Sequence, residues 1–587
     1  MHHQKDLVKR GVLWEDEEFP ANSKSLYFSK VDNTVQWMRP KELCKVPRLI
    51  EDCVTCNDLD PGELGNNWLL TACAAIAKDK KALAKVVPDH KLQEWDDKNQ
   101  YAGIFKFSFW RFVAQRVLVR LLEKAYAKLY GDYESLGHCY TLDSLVDFTG
   151  GVAERIEINS LLLNDEGRQA FFKRLQDALD AGDFLLSRVE SLKEDFDEEP
   201  EEDNESYSVT AIKFIEVNKN LQANTGFTTL KLVRLLNPWK DREWTGPWSN
   251  TSPMWKGISV EDWEKMGVKF KQEGEFWMSW DDFLTYFTRV ELCHIINTSF
   301  FSMSKAWHES VLHSAWTTSG RNGGGDFASA TVLSNPQYMF DINSHEDTIM
   351  ISLDQHDVKG RDALMDNINT IGFHVMKVEA NRRFRCHVTG KLKFSSEFKK
   401  LRSAYGTKDL VRGRYVIIPC TQEKDKVGEF ILRLYTPYKP AATELTEDVP
   451  IVSCPCIAPY RMVTTITVET CADLLLEDID TTPDPFVIIK CEGEKVQSYH
   501  ESQTHNPEFN FMATFYRKKP AVPIFIEVMH KKKFGSELIS TGACDENGTE
   551  TGERKELVLS AKDKTMNLAK TGKMIVFVRS SFDLAAL

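Results

Sequence analysis

Two stretches in the first quarter of the chain show the spacing of apolar residues that is typical of amphipathic helices. The first covers residues 67–86 and predicts one helix that buries a single apolar stripe. Its stripe includes Leu70, Cys73, Ala74, Ala77 and Leu83. A second helix is predicted over residues 113–131, VAQRVLVRLLEKAYAKLYG, and Gly131 is its natural C-terminal stop.

Further along, apolar and polar residues alternate, which is typical of β-strands. SYSVTAIKFIEV (206–217) and TTLKLVRLLNPW (228–239) are the first such segments, and Trp-rich turns are expected at 242–250 and 273–283. From about residue 300 the chain is nearly all strand, which predicts a β-sandwich. After a Pro-rich linker, TTITVETCADLL and DPFVIIKCEG predict a second β-sandwich. The pattern therefore indicates an α+β multidomain protein.

Composition narrows the class of protein. The 587 residues exceed what one hydrophobic core organises, and 42% apolar with 27% charged residues is typical of a globular protein. A formal net charge of −13 argues against a nucleic-acid partner. The N-terminus has no apolar signal segment, and no run of eighteen apolar residues occurs, so we expect a cytoplasmic protein without a transmembrane segment. The acidic run 194–205 predicts a solvated loop.

Several segments in this order resemble the calpain family. LQEWDDKNQYAGIFKFSFWRF, LLEKAYAKLYGDYESL and DFTGGVAE resemble the first protease subdomain, and RLLNPWKDREWTGPWSNTS with GEFWMSWDDF resembles the second. RNGGGDF followed by NPQYMF resembles the calpain β-sandwich, and DPFVIIKCEGEKVQS resembles a C2 domain. Within the family, the chain resembles the group that ends in a C2 domain rather than an EF-hand domain, namely the calpain-five and calpain-six group.

The resemblance implies a papain-like cysteine-protease core of two subdomains, a C2-like calpain β-sandwich and a C-terminal C2 β-sandwich. An N-terminal segment and the first subdomain together cover 1–152, with an internal deletion near 111–120, and the second subdomain covers 153–300. The β-sandwich covers 301–445, a linker 446–460 and the C2 domain 461–587. The deletion reflects either a remodelled subdomain or a gene-model artefact.

The resemblance also identifies the positions at which calpains carry their catalytic groups. A papain-like site needs a thiolate at a helix N-terminus, a histidine base and an asparagine that orients it. The family's cysteine position holds Asn67 here, its histidine position holds Glu205, and its oxyanion glutamine position holds Pro61. The family's asparagine is retained as Asn237. A calpain-like protein that lacks proteolytic activity is therefore expected.

Two residues near this site have a structural interpretation. Asn67 is expected to cap the helix that follows it, because asparagine is among the best N-cap residues. Cys73 lies on the apolar stripe and is expected to be a core residue rather than a substitute nucleophile.

Calcium ligation is implied by the family but weakened here, and no cofactor is certain. In the first subdomain Glu123 matches one ligand, but its partner loop is missing. In the second, Glu261, Glu273 and Glu275 match acidic positions, whereas Met254 stands where a carboxylate is expected. The segment is either a weakened calcium site or a solvated acidic turn.

The predicted C2 domain keeps only half of a calcium site. Asp478 and Asp484 have suitable spacing in the first loop, but Lys531, Lys532 and Lys533 occupy the second. These lysines either meet anionic phospholipid or form an ordinary exposed turn.

Three functions follow as alternatives. The first is a calpain-like protein without proteolytic activity, acting as a regulatory or scaffold protein with protein partners, some of them cytoskeletal. The second is a calcium-dependent cysteine endopeptidase, as family membership alone implies. The third is a peripheral membrane adaptor that binds phospholipid through its C2 domain.

Overall fold

The computed structural model describes most of the chain. The described residues are 2–32, 34–43, 49, 67–89, 93, 101–108, 113–114, 119–138, 140–158, 164–189, 206–218, 227–237, 244–258, 274–297, 307–317, 324–355, 368–439, 442–451, 458–476, 481–545, 547–561 and 572–587. The chain divides into two compact units, Met1–Asn297 with Asp357–Ile368, and Thr298–His356 with Asn369–Leu587. The predicted acidic loop at 194–205 lies outside the described residues.

The first unit opens with a helical part. Its elements are α1 (His2–Arg10), α2 (Pro40–Leu43), α3 (Asn67–Lys78), α4 (Lys80–Val86), β1 (Phe107–Ser108), β2 (Val113–Ala114), α5 (Val119–Tyr130) and α6 (Thr141–Thr149). Helix α3 packs against α4, α5 and α6. At this contact Trp68 and Tyr126 are both 1% exposed, with ring centroids 5.7 Å apart, and they form part of one hydrophobic core.

Both predicted helices differ from those in the structure. The single helix expected over 67–86 is broken at Asp79, whose side chain accepts hydrogen bonds from the backbone N–H of Lys81 (2.7 Å) and Ala82 (3.0 Å). This carboxylate caps a new helix, α4, which the apolar spacing alone does not reveal. The helix expected from residue 113 begins only at Val119, because residues 113–114 pair with β1 as a short strand. Gly131 does end α5, with a φ of +104°.

The second part of the first unit is a mixed layer of sheet and helix. Its elements are β3 (Val152–Glu157), α7 (Asp165–Ala181), β4 (Phe184–Arg188), β5 (Ser206–Asn218), β6 (Phe227–Leu236), β7 (Glu275–Ser279), α8 (Trp280–Tyr286) and β8 (Arg289–His294). The six strands form one antiparallel sheet in the order β3-β8-β4-β5-β6-β7. A hydrophobic core lies between this sheet and helices α7 and α8.

The Trp-rich segment 273–283 is not the turn that we predicted. From Glu275 onward this segment forms strand β7 and the first residues of helix α8. Ser279 caps α8, because its hydroxyl accepts a hydrogen bond from the backbone N–H of Asp282 at 3.0 Å. Trp277 and Trp280 are each 3% exposed, so the tryptophans are core residues of regular elements.

The described residues of the second unit begin with seven strands. They are β9 (His308–Trp316), β10 (Tyr338–Gln355), β11 (Ile371–Val378), β12 (Lys391–Ser395), β13 (Ser403–Thr421), β14 (Gly428–Thr436) and β15 (Thr443–Glu444). Their order is β12-β11-β13-β10-β14-β9, with β15 paired to β10. Alternate residues of β13 enter two different cores: Tyr415 and Ile417 belong to one, and Val416 and Ile418 to the other.

The rest of the second unit is a sandwich of two antiparallel sheets. Its strands are β16 (Met462–Ala472), β17 (Pro485–Cys491), β18 (Glu494–Gln497), β19 (Glu508–Arg517), β20 (Ile524–Lys531), β21 (Ser536–Cys544), β22 (Glu553–Val558), β23 (Ser560–Ala561) and β24 (Lys573–Ser581). One sheet has the order β19-β16-β24-β22 and the other β18-β17-β20-β21-β23, with a shared core between them. The predicted α+β multidomain class is confirmed.

Candidate functional site

The candidate site lies where helix α3 meets the ends of two strands of the six-stranded sheet. Thr71, one turn into α3, donates a hydrogen bond from Oγ1 to the backbone oxygen of Ser206 at the start of β5 (3.2 Å). Leu70 and Ala74 of α3 pack on Leu236, the last residue of β6. The predicted positions 67, 205 and 237 belong to, or directly adjoin, these three elements.

Two of the four predicted catalytic positions lie in the part of the chain that the structure describes. Asn67 is the first residue of α3, and the prediction that its side chain caps this helix stays a prediction. Asn237 is fully buried directly after β6. Pro61 and Glu205 lie outside the described residues.

The backbone around Asn237 is tightly constrained. Its N–H donates to the carbonyl oxygen of Gly274 at 2.8 Å. Gly274 has a φ of +74°, and a Cβ added there would lie 2.2 Å from the carbonyl oxygen of Asn237. Only glycine suits both the backbone conformation and this close approach, so the backbone position of Asn237 depends on a glycine at position 274.

The residues that follow position 205 are part of the core. The Tyr207 ring makes T-shaped contacts with Phe276 and Phe287, with centroids 6.2 Å and 5.5 Å away. Thr210 accepts a hydrogen bond at Oγ1 from Nε of Arg234 (2.8 Å). These contacts pack the first residues of β5 against β6, β7 and the end of α8.

Cys73 lies two turns into α3 and is buried in the core, which confirms its predicted structural role. Burial, and then the negative charge of Glu123, raise the pKa of its thiol well above the ordinary value. A thiol that stays protonated is a poor nucleophile.

The calcium candidates of the first unit do not converge in the described residues. Glu123 lies on α5, where its charge also raises the pKa of Tyr133 in addition to the larger effect of burial. Glu275 forms an ion pair with Lys78 and lies 3.9 Å from Nη1 of Arg234. Glu261 and Glu273 fall outside the described residues, and Met254 is exposed. Nowhere in the described ranges do three or more His, Cys, Asp or Glu residues form a group able to hold a metal.

In the C-terminal sandwich, Asp484 adjoins the lysine-bearing turn. Its Oδ1 accepts from the backbone N–H of Gln503 (2.7 Å), and its carbonyl oxygen accepts from the N–H of Lys531 (2.9 Å). Lys531 ends β20, and Lys532 pairs with Glu537. Phe534, at the turn, is 87% exposed. Asp478 is outside the described residues.

Sequence reasoning missed two features. The first is the exposed ring of Phe534. The sequence KKKFG, a phenylalanine between three lysines and a glycine, indicates an apolar side chain at an exposed turn. The second feature is His294 at the end of β8. Its Nδ1 lies 2.7 Å from Oδ2 of Asp183, and its Nε2 lies 2.9 Å from Oε2 of Glu154. Its partners are more than a hundred residues away in sequence, so no local pattern indicates them.

No helix in the described part of the chain has the length and apolar character needed to cross a membrane.

Comparison with known families matches three regions of the chain. Residues 14–120 and 113–294 match the calpain family cysteine protease, residues 312–435 match domain III of the calpain large subunit, and residues 462–556 match the C2 domain. The two protease segments overlap at 113–120, within the stretch where a deletion is predicted. The exact domain bounds stay predictions.

Relatives match over most of their length. Calpain-5 of Mus musculus is 37% identical over 577 residues, which cover 91% of this chain and 89% of the relative. Calpain-5 of Caenorhabditis elegans is 35% identical over 498 residues, covering 76% and 77%. The calpain-2 catalytic subunit of Gallus gallus is 30% identical over 501 residues, covering 76% and 69%. With its protease core, domain III and C2 domain, the chain belongs to the calpain family, in its C2-terminated calpain-5 group.

Proposed function

We propose that this calpain-family chain does not cleave peptides and acts as a regulatory or scaffold protein. The observation that carries the proposal is the residue at the first position of α3, which is Asn67. A side-chain amide has no ionisable proton near neutral pH and cannot form the thiolate that attacks a peptide carbonyl. The proposal also takes Glu205 to stand at the position of the base and Pro61 at that of an oxyanion donor, as the sequence motifs predict.

The described cysteines support this proposal, because they offer no substitute nucleophile. All of them are buried: Cys73, Cys293, Cys386, Cys420, Cys471, Cys491 and Cys544. Burial raises the pKa of several of these thiols, to about 11 for Cys386 and Cys491. A cysteine nucleophile instead needs a lowered pKa and access to substrate.

Retained packing supports a binding role. Helix α3 packs against β5 and β6, and the backbone N–H of Asn237 donates to the carbonyl oxygen of Gly274. In the proposal this fold presents a surface to protein partners, cytoskeletal ones among them, in the cytoplasm.

A protease assay tests the proposal. Purified protein is incubated with casein, with and without calcium, and with a covalent cysteine-protease inhibitor as control. We expect no inhibitor-sensitive cleavage. An active-site-directed epoxide should also leave the native protein unlabelled. Inhibitor-sensitive cleavage, or labelling of one cysteine at native pH, would establish the endopeptidase alternative instead.

A second candidate function, peripheral membrane binding, is favoured by Phe534. An exposed aromatic ring next to Lys531, Lys532 and Lys533 combines an apolar anchor with positive charge, which suits an anionic lipid surface. Each lysine near such a surface contributes about 1 kcal/mol.

Co-sedimentation with phosphatidylserine vesicles tests this second function. The variant K531A/K532A/K533A should lose binding. A charge-matched control, K495A/K518A/K519A, alters lysines at the opposite end of the sandwich, next to the β17–β18 and β19–β20 turns, and should bind like the wild type. Equal binding by all three proteins would exclude the lysine-bearing turn as a lipid site.

A further inference from the structure

Tyr140 lies where the helical part of the first unit meets the sheet. It directly precedes helix α6, its backbone is extended (φ −109°, ψ 144°), and its side chain makes no capping hydrogen bond. Tyr140 is 38% exposed, and Gly137, three residues earlier, is exposed as well. In the described part of the chain the Tyr140 hydroxyl has no hydrogen-bond partner. The segment before α6 therefore presents a phenol group at the surface.

Two arginine side chains lie against the ring of Tyr140. Cζ of Arg155, in β3, is 5.8 Å from the ring centroid, and Cζ of Arg188, the last residue of β4, is 5.7 Å from it. A guanidinium at such a distance is attracted by the electrons of the aromatic ring. Tyr140 is thus close to two positive charges that come from two different strands.

A third arginine shares this face of the sheet. In β8, Glu291 is the direct cross-strand partner of Arg155, and Arg289 is that of Arg188. Side chains that lie opposite each other, or two residues apart along one strand, point to the same face of a sheet. Arg188 therefore faces a like charge across the sheet.

The carboxylates around this face are bound by the other two arginines. Nη2 of Arg155 lies 3.0 Å from Oδ1 of Asp143, and its Nε lies 3.2 Å from Oε1 of Glu291. Nε of Arg289 lies 2.7 Å from Oε1 of Glu157. Nη1 of Arg155 has no hydrogen-bond partner among the described residues. A negative group added at this point would meet carboxylates whose charges are already neutralised.

We propose that Tyr140 is a phosphorylation site and that Arg188 and Arg155 bind its phosphate. The phenolic oxygen attacks the γ-phosphorus of ATP on a protein tyrosine kinase; an O–P bond forms, the bond to ADP breaks, and the phenolic proton passes to the base of the kinase. Phosphotyrosine carries a charge of about −1.5 to −2 at neutral pH and three acceptor oxygens. Arginine binds such oxygens in bidentate pairs, and the N-terminus of α6 also favours an anion.

The phosphate ties the helical part to the sheet. Tyr140 belongs to the start of α6, whereas Arg155 and Arg188 belong to the strands on either side of β8. The site is independent of the predicted catalytic positions and of the turn that carries Phe534.

Phosphorylation of the full chain in vitro tests the proposal. The kinase is a broad-specificity protein tyrosine kinase, selected because it phosphorylates a synthetic peptide of residues 134–147. Mass spectrometry of peptides measures the phosphorylated fraction at each tyrosine of the native chain. We expect phosphate at Tyr140. Phosphorylation of the peptide without phosphorylation of Tyr140 in the native chain overturns the proposal.

The arginines are tested by the rate at which a protein tyrosine phosphatase removes the phosphate. Arg188→Gln should lose it at least about threefold faster than the wild type, because charge-assisted hydrogen bonds no longer hold it. Arg168→Gln, at an exposed position of α7, removes the same charge and should behave like the wild type. Arg155 is kept, because its loss would leave Asp143 and Glu291 unpaired.

Phosphorus NMR gives a readout that a merely structural role of Arg188 would not move. The second pKa of phosphotyrosine, ordinarily about 6, should be lower in the wild type than in Arg188→Gln, because a guanidinium favours the dianion. Equal pKa values and equal dephosphorylation rates in these two proteins overturn the proposal.

A comparison within the wild-type chain guards against a misfolded variant. Tyr286 and Tyr438 are 52% and 61% exposed, and neither has an arginine against its ring in the described structure. Phosphate at these two tyrosines should be removed faster than phosphate at Tyr140, although a more exposed site alone explains only a small difference. Faster removal at Tyr140 than at both controls contradicts the proposal.

Discussion

At the scale of single residues, His294 couples the stability of the first unit to pH. Burial by itself would lower the pKa of this imidazole, but the hydrogen bonds and charges of Asp183 and Glu154 outweigh burial and raise its pKa from 6.5 to about 9. Glu154 is also bonded by Arg174, with N–O distances of 2.6 Å and 2.7 Å. The imidazolium is therefore a fixed positive charge between two carboxylates.

The pKa of His294 predicts a loss of stability in mild alkali. Because the pKa is higher in the folded state than the unfolded value of 6.5, the stabilisation is complete below pH 6.5 and is lost as pH rises through about 9. The loss should be roughly 3 kcal/mol in the free energy of unfolding. Urea unfolding at pH 6 and pH 10 measures it.

A matched variant isolates the contribution of His294 from that of other groups that titrate in alkali. His294→Gln keeps a side chain able to form hydrogen bonds but removes the titration. Its free energy of unfolding at pH 6 should be lower than that of the wild type, and the difference between the two proteins should shrink towards pH 10. A constant difference across this range would show that His294 is neutral in the folded protein.

A second prediction at this scale concerns Asn67, the first residue of α3. Asn67→Cys places a thiol at a helix N-terminus, where the helix dipole and free N–H groups lower the pKa of a cysteine. Iodoacetamide at pH 6.5 should label residue 67 and leave Cys73 unmodified until the protein is unfolded. Mass spectrometry of peptides locates the label. Equal labelling of both residues in the native protein would contradict the burial of Cys73.

At the scale of elements, a loop of domain III completes the edge of a C2 sheet. Strand β19 is an edge strand, and the side-chain amide of Asn381 pairs with the backbone of Thr514 in both directions. Its Nδ2 donates to the Thr514 oxygen at 2.7 Å, and its Oδ1 accepts from the Thr514 N–H at 2.9 Å. The N–H of Ala380 donates to the Met512 oxygen at 2.9 Å. The loop therefore covers an edge that would otherwise be free to pair.

Replacing this asparagine should expose the edge. Asn381→Ala removes both hydrogen bonds and should lower the free energy of unfolding of the second unit by about 1–3 kcal/mol. Amide hydrogen exchange at Thr514 should become faster, because its N–H loses its acceptor. Asn343→Ala, at an exposed position, is the control. Unchanged exchange at Thr514 would mean that the loop does not hold β19.

The sequence predicts several of the longer strands of this chain and few of its contacts. Period-2 alternation places β5 and the start of β6 to within about one residue, because their side chains must divide between two environments. Helix ends are harder to predict: the break at Asp79 depends on one carboxylate that accepts two backbone N–H groups. The His294 cluster depends on which distant strands pair, and a bulge such as that at Lys393 leaves no trace in the periodicity.

At the scale of the whole molecule, the two units have separate hydrophobic cores. The second unit contains the cores of domain III and of the C2 domain. Between these cores lie the Asn381 loop, a T-shaped contact of Phe384 with Tyr516 at 5.1 Å, and Arg412 over the Tyr499 ring at 4.2 Å. Domain III and the C2 domain are thus joined by polar and aromatic contacts as well as by the chain.

These contacts predict that a fragment of residues 298–587 folds alone and unfolds as one cooperative unit. It contains only two tryptophans, Trp307 and Trp316, both in domain III, and Trp316 is buried with Nε1 3.1 Å from the Pro419 oxygen. Tryptophan fluorescence therefore follows domain III, whereas far-ultraviolet circular dichroism follows both domains. The two thermal transitions should coincide in the wild-type fragment and separate in N381A/F384A, because the variant removes the side-chain contacts of Asn381 and Phe384 between the cores while leaving each core intact. Separate transitions in the wild-type fragment would show that the two domains unfold independently.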